Sequence, residues 1–169
     1  MRNARGYTLI EILVVLFIIS IVTSVALLTI SRNQNKQLET FANQLAQTMA
    51  LAEEQAMLQS VVLGLRLDDH SFHFASLQQA IEGEKKAGWS PLQDTILGQH
   101  PIPSDIQLAV QVGGQKIVSD HNTKLVPQVV ISTSGEITPF TIYIGKKGEK
   151  PRYTISGDAD GNITNKALS

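Results

Sequence analysis

No cysteine occurs among the 169 residues. That excludes a disulfide framework, a thiolate metal site, an iron–sulfur cluster and a cysteine nucleophile, and it leaves redox habit silent about the compartment. Neither sign of charge is in excess, since 14 Lys and Arg stand against 15 Asp and Glu. The chain as a whole therefore supplies no field for a polyphosphate, and nucleic-acid binding would need a local basic patch. Aromatic residues amount to 5%, with tryptophan present once as Trp89, and glycine and proline are missing altogether between residues 7 and 63. No internal repeat, low-complexity tract or G-x-x-x-x-G-K-[ST] phosphate loop is present. The apolar residues, 43% of the chain, are unevenly spread, and a large share falls in the first thirty positions.

Residues 12 to 30, ILVVLFIISIVTSVALLTI, carry no charge, glycine or proline. At about 1.5 Å per residue they match the hydrocarbon thickness of a bilayer, so the run predicts one transmembrane helix. Ser20, Thr23, Ser24 and Thr29 are its polar members, tolerated because small hydroxyls can bond back to helix carbonyls. Arg2 and Arg5 precede the run, while Arg32 and Lys36 after it are offset by Glu39, a bias that puts the N-terminus in the cytoplasm.

Glu11 does not suit a plain anchor, because an acidic group costs about 2.5–3.5 kcal/mol near the centre of a spanning helix and less toward the interface. It is read either as seeking a partner or as sitting at headgroup depth, where it favours a helix N-terminus through the macrodipole. A cleavable secretory signal ending at Ser24-Val25-Ala26 is the other reading of this region; Glu11 at its head and the excess apolar length speak against it. Cutting after Gly6 would instead create an ammonium at Tyr7 and remove Arg2 and Arg5, giving a side-chain charge of 12 − 15 = −3. The Glu11 carboxylate could then neutralise a neighbour's amine at low dielectric, where pairing is stronger than in water.

Gly6-Tyr7-Thr8-Leu9-Ile10-Glu11 followed by the uncharged run resembles the class III signal of type IV pilins and type II secretion pseudopilins, with tyrosine where phenylalanine is usual. The resemblance implies cleavage by a prepilin peptidase between Gly6 and Tyr7, N-methylation of Tyr7, and an assembly role for Glu11.

Beyond Ile30, Leu38, Phe41, Leu45, Met49, Ala52 and Ala56 are spaced 3, 4, 4, 3, 4. This predicts an amphipathic helix continuous with the membrane segment, about 52 residues and roughly 80 Å long. Phe41, Leu45 and Met49 are expected to pack on a sheet, an exposed coiled-coil seam being the alternative. From Val61 the period becomes two: Leu63, Leu65 and Leu67, then Phe72 and Phe74 after Asp68-Asp69-His70, predict a β-hairpin. Further strands are expected at 106–112, 126–133, 137–144 and 152–156, with a short one at 162–164. Gly113-Gly114, Ser134-Gly135 and residues 158–161 would supply the turns. Residues 76–104 hold three glycines, three prolines and Trp89 without periodicity, which predicts a variable surface loop. Trp89 either anchors that loop or offers a partner an aromatic contact.

The stretch Pro127 to Ile144, with its Gly135-Glu136 turn before Thr138-Pro139-Phe140, then Tyr153-Thr154-Ile155-Ser156 and Asp160-Gly161-Asn162-Ile163, is similar to the C-terminal domain of the general secretion pathway protein H family of minor pseudopilins. FimT-type minor pilins, some used in DNA uptake, share that domain. The resemblance implies a type IV pilin-like α+β fold, a long N-terminal helix, transmembrane in its first half, packed on an antiparallel β-sandwich-like domain. The expected organisation is a leader at 1–6, a transmembrane helix at 7–30, its amphipathic continuation at 31–60, and a periplasmic β-rich domain at 61–169. Its implied partners are the major and other minor pseudopilins, prepilin peptidase, an inner-membrane assembly platform and membrane lipid. DNA-uptake pilins carry arginine-rich C-terminal segments. The tail here, Asn165 to Ser169, has no such patch, and no nucleic acid is expected.

No catalytic constellation, cofactor or metal site is expected. His70, His73, His100 and His121 lack a ligand spacing, and His70 and His73 would face opposite sides of a strand. Asp158-Ala159-Asp160-Gly161-Asn162 starts like a calcium loop, but its glycine is fourth rather than sixth and no glutamate follows, so a β-turn is expected, a weak calcium site being the alternative. Ser134-Gly135-Glu136 lacks the first glycine of a nucleophile elbow. Lys85-Lys86, Lys146-Lys147 and Lys150-Pro151-Arg152 are flanked by Glu82, Glu84 and Glu149, as on a solvated face.

Overall fold

The computed structural model describes residues 8–78, 88–117 and 126–168, with side chains of 26–34 left aside. The chain divides into two compact units, Met1–Gln37 and Leu38–Ser169. One helix, α1 (Leu9–Gln59), contributes to both and is 51 residues long.

In the first unit α1 opens on Thr8. The Glu11 N–H donates to the Thr8 Oγ1 (3.3 Å) and the Thr8 carbonyl (3.1 Å), so Thr8 caps the helix and Glu11 stands in its first turn, where negative charge is favoured. Farther along, the hydroxyls of Ser20, Thr23 and Ser24 donate to the carbonyls of Leu16, Ile19 and Ser20, each at 2.8 Å. These three hydroxyls are thereby satisfied within the helix.

In the second unit the predicted stripe is the buried face of α1: Leu38, Phe41, Leu45, Met49, Ala52 and Ala56 are all at most 5% exposed. The helix stops without glycine or proline. Ser60 takes φ 51°, the Val61 N–H donates to the Ala56 carbonyl and the Ser60 N–H to the Met57 carbonyl, which is the Schellman pattern with serine in the left-handed position.

Two five-stranded antiparallel sheets follow. The first has β1 (Leu63–Leu67) between β2 (Ser71–Gln78) and β7 (Val129–Ile131), with β3 (Gly88–Pro91) and β4 (His100–Pro101) both on β2. The second runs β10 (Ile163–Ala167), β9 (Tyr153–Gly157), β8 (Phe140–Lys146), β5 (Ile106–Val112), β6 (Gln115–Ile117). The β1–β2 register sets Leu65 opposite Phe74 and Leu67 opposite Phe72, so the alternating large residues share one face. They join Phe41, Leu45, Met49, Ile142, Ile144 and Ile155 in a single core. The ring of Phe41 meets that of Phe72 edge-on, with centroids 6.2 Å apart.

Several strands differ from expectation. The 126–133 segment forms a strand only at Val129–Ile131, because Pro127 has no N–H to give a ladder; Gln128 donates its N–H to the Leu65 carbonyl (2.9 Å) and adds its side chain to the pairing with β1. Its Oε1 accepts from the Leu67 N–H (2.8 Å) and its Nε2 donates to the Leu67 carbonyl (3.0 Å). Ile137 makes only an isolated bridge to Ile131, and β8 begins after Pro139. β10 is five residues rather than a short end. The 76–104 stretch is not all loop: β2 runs on to Gln78, and β3 and β4 pair against it. Both are short edge strands that end in proline, so neither shows an alternating pattern. β6 closes a hairpin over Gly113 and Gly114, at φ 57° and 80°, the two left-handed positions of a type I′ turn.

Candidate functional site: the exposed helix and the turns beside it

Gly6 and Tyr7, the expected processing positions, lie outside the described residues. Glu11 is described, exposed in the first turn of α1. Behind it runs an apolar surface that is exposed among the described residues: Leu9 is 84% exposed, Ile10 70% and Phe17 64%, and the exposure continues to Val25. A monomer in water does not keep so large an apolar face bare. Among the described residues no helix is long and apolar enough to cross a membrane. The described side chains of this run end at Val25, whereas the uncharged sequence continues to Ile30.

Trp89 is half-buried on β3, opposite Leu77. Its ring and Pro127 cover the outer face of β1 at Gly64, where an added Cβ would clash with Pro127 and stand 3.0 Å from the Trp89 Cζ3. Only glycine lets these two rings lie this close to the strand.

The remaining candidates are satisfied locally. Among the described residues no group of three His, Cys, Asp or Glu could hold a metal ion. His73 is 3.9 Å from Asp68, which is itself 3.1 Å from the Arg66 Nε. Burial pushes the His73 ring below its ordinary range, Asp68 offsets part of this and Arg66 adds to it. His100 stacks on Phe72 at 4.9 Å and donates from Nε2 to the Ile96 carbonyl. His121 lies outside the described residues. Asp158 accepts from the Asn162 side chain and from the N–H groups of Asn162 and Asp160. These bonds hold its carboxyl below the ordinary value, and the motif is a self-contained turn. The Ser134 hydroxyl bonds Ser132 and Glu136. Arg152 stands 3.9 Å from Glu149, and Lys85 and Lys86 lie outside the described residues.

One contact was hidden in the sequence. Glu53, on α1, reaches the two turns around Gly135 (φ 87°) and Gly161 (φ 90°). A Cβ on Gly161 would stand 2.5 Å from the Glu53 Oε1 and 2.7 Å from the Gly135 carbonyl oxygen. Burial pushes the Glu53 carboxyl above its ordinary 4.5, and Asp158 adds to the rise. The folded state then binds the Glu53 proton more readily than the unfolded chain, so stability is lost as pH rises from the ordinary value through the folded one. The lowered His73 works in the opposite sense, stability falling as pH drops below 6.5. Glu53→Gln removes only the first effect. Melting temperatures taken from pH 7 to pH 4 should show the wild type gaining on the variant as the solution is acidified, and parallel curves would contradict this contact.

Residues 1–27 match the "Prokaryotic N-terminal methylation motif" and residues 42–161 match "Type II transport protein GspH". The type II secretion system protein H of Aeromonas hydrophila is 31% identical over 96% of this chain and 94% of its own length. That of Pseudomonas aeruginosa is 29% identical over 95% and 94%. A structure of the minor pseudopilin EpsH from the type 2 secretion system of Vibrio cholerae superposes with a TM-score of 0.64, covering 77% of this chain and 95% of that one at 25% identity. A long helix on two antiparallel sheets with a pilin-type N-terminus defines the class: this is a type II secretion pseudopilin, a structural subunit of the pseudopilus. Within that class the chain belongs to the protein H family of minor pseudopilins. The relatives do not favour the DNA-uptake pilin alternative.

Proposed function

We propose that the chain is inserted in the inner membrane through residues 7–30 with its N-terminus cytoplasmic and its β-rich domain in the periplasm. Prepilin peptidase then cuts between Gly6 and Tyr7 and methylates the new amine. The observation that carries this reading is Glu11, held in the first turn of an uncovered apolar helix directly behind the cut. Cleavage creates a cation there, and Glu11 neutralises the amine of a neighbouring major or minor pseudopilin at low dielectric. The helix thus passes from lipid into a filament at the assembly platform. On this reading Phe41, Leu45 and Met49 tie α1 to its sheet, and Trp89 is offered to a partner from the edge of the domain.

The experiment is N-terminal sequencing of the chain recovered from sheared filaments. The expected mature product begins with N-methylated Tyr7. A product beginning at Leu27, or an intact leader, contradicts the reading.

A further inference from the structure

The five strands of the second sheet contain no Asp or Glu, and their outer face is built largely from hydroxyls and amides. Gln111 of β5, Thr141 of β8, Ser156 of β9 and Thr164 of β10 stand opposite one another in a single row. The row faces away from the core, because the chain neighbours Val110, Ile142 and Ile155 point into it. Its side chains are tied to one another. The hydroxyls of Ser156 and Thr164 are hydrogen-bonded at 2.9 Å, and the Tyr143 hydroxyl donates to the Gln111 Oε1 (3.4 Å), which leaves the Gln111 Nε2 as the donor end of that amide.

At its β5 end the row runs into a cleft of about 280 Å³, lined by Gln111, Thr141 and Ser156 together with Gly114, Pro139 and Asp158. The carboxylate in this cleft is fixed before anything binds. Its Oδ1 accepts from the N–H groups of Asp160 (3.1 Å) and Asn162 (2.9 Å), and its Oδ2 accepts from the Asn162 Nδ2 (3.0 Å) and keeps a lone pair for a further donor.

Among the described residues that line the cleft there is no Lys, Arg or His, so a phosphate or sulfate entering it would meet a carboxylate and no cation. A neutral polyol suits the same groups. Sugar hydroxyls both donate and accept, as Ser and Thr do, and an oriented carboxylate takes their protons in hydrogen bonds. The Gln111 Nε2 and the Pro139 ring suit the carbonyl and the methyl of an acetamido group. Drug-sized sites occupy about 300–1,000 Å³, so this cleft is matched to one sugar ring and not to several.

We propose that the cleft holds one N-acetylhexosamine ring of a cell-wall glycan strand, whose neighbouring sugars lie along the hydroxyl row toward β10. The proposal rests on the periplasmic placement of the domain, where such strands are found.

The probe is the β-1,4-linked tetramer of N-acetylglucosamine, titrated into the purified full-length chain in detergent and followed by saturation-transfer NMR. Maltotetraose, which has α-linkages and no acetamido group, serves as the comparison and should bind about tenfold more weakly or less. Gln111→Ala removes the amide, and Thr141→Val removes a hydroxyl while keeping the β-branched shape that suits a strand. Each should weaken tetramer binding on the order of tenfold and lower retention of the chain on purified cell-wall sacculi, with cooperative melting preserved. Absence of tetramer binding by the wild type, equal binding of maltotetraose, or equal binding by wild type and both variants overturns the glycan site. The placement beneath it is read separately from the mature N-terminus. A chain that begins at N-methylated Tyr7 but binds no tetramer overturns the site and leaves the placement standing. A chain that binds the tetramer but keeps its leader overturns the placement, and with it the cell wall as the source of the glycan.

Discussion

Phe41→Asp is expected to abolish the cooperative melting of a chain shortened to residues 33–169, whose wild-type counterpart should fold as a soluble monomer. Phe41 is 5% exposed and lies edge-on to Phe72, which in turn stacks on His100. Truncating a buried phenylalanine costs about 3–5 kcal/mol. An unpaired carboxylate in its place adds several more, since the residues of the core cluster it would enter are apolar. Against a total stability of about 5–15 kcal/mol, little is left. Phe41→Leu, which keeps the site apolar, should cost only about 1–2 kcal/mol. An unchanged melting temperature in the aspartate variant would mean that the stripe is an exposed seam and not the core face of α1.

The stripe was legible because a helix that buries one face must repeat its apolar residues at 3.6, and nothing between residues 7 and 63 interrupts that count. The β1–β2 hairpin was legible for the corresponding reason at a period of two. What the sequence concealed depends on pairing between distant residues. β3 and β4 are ordered by the long strand β2, although their own residues alternate in no way that marks a strand. The helix stop at Ser60 was equally silent, since the left-handed position usually advertises itself as glycine. Gln128 reads as an ordinary strand residue until its amide is seen bonding Leu67, 61 positions earlier.

The functional surface divides along the same line. Glu11 and the run behind it are contiguous in sequence, so their chemistry could be read at once. Glu53 becomes unusual only when Gly135 and Gly161 close over it. Ile96 becomes part of an apolar groove only when the Asp94 turn sends Leu97 inward and leaves its neighbour beside Leu58. Local charge and apolar run length are one-dimensional properties, whereas a groove between a helix and a turn is not. Trp89 lies between these cases, marked by its rarity but placed by Gly64 and Pro127.

Glu11→Ala should leave membrane insertion and leader cleavage intact while removing the chain from filaments. Insertion becomes easier, because the one acidic group among residues 7–30 is gone. The Thr8 cap persists, since it uses the backbone N–H of residue 11 and not the carboxylate. What is lost is the group expected to face a neighbour's new amine, and a charge left unpaired where water is excluded is worth far more than one at the surface. Co-purification with the other pseudopilins should therefore fall about tenfold or more. Glu11→Gln, which keeps shape and hydrogen bonding but not charge, should fall nearly as far. Glu11→Asp, which keeps the charge on a shorter stem, should retain more. Measuring the three variants side by side by quantitative mass spectrometry of sheared filaments gives the ordering. Equal recovery of alanine and wild type, with both cleaved after Gly6, would show that Glu11 acts at headgroup depth as a helix-start residue and that other contacts drive the chain out of the membrane.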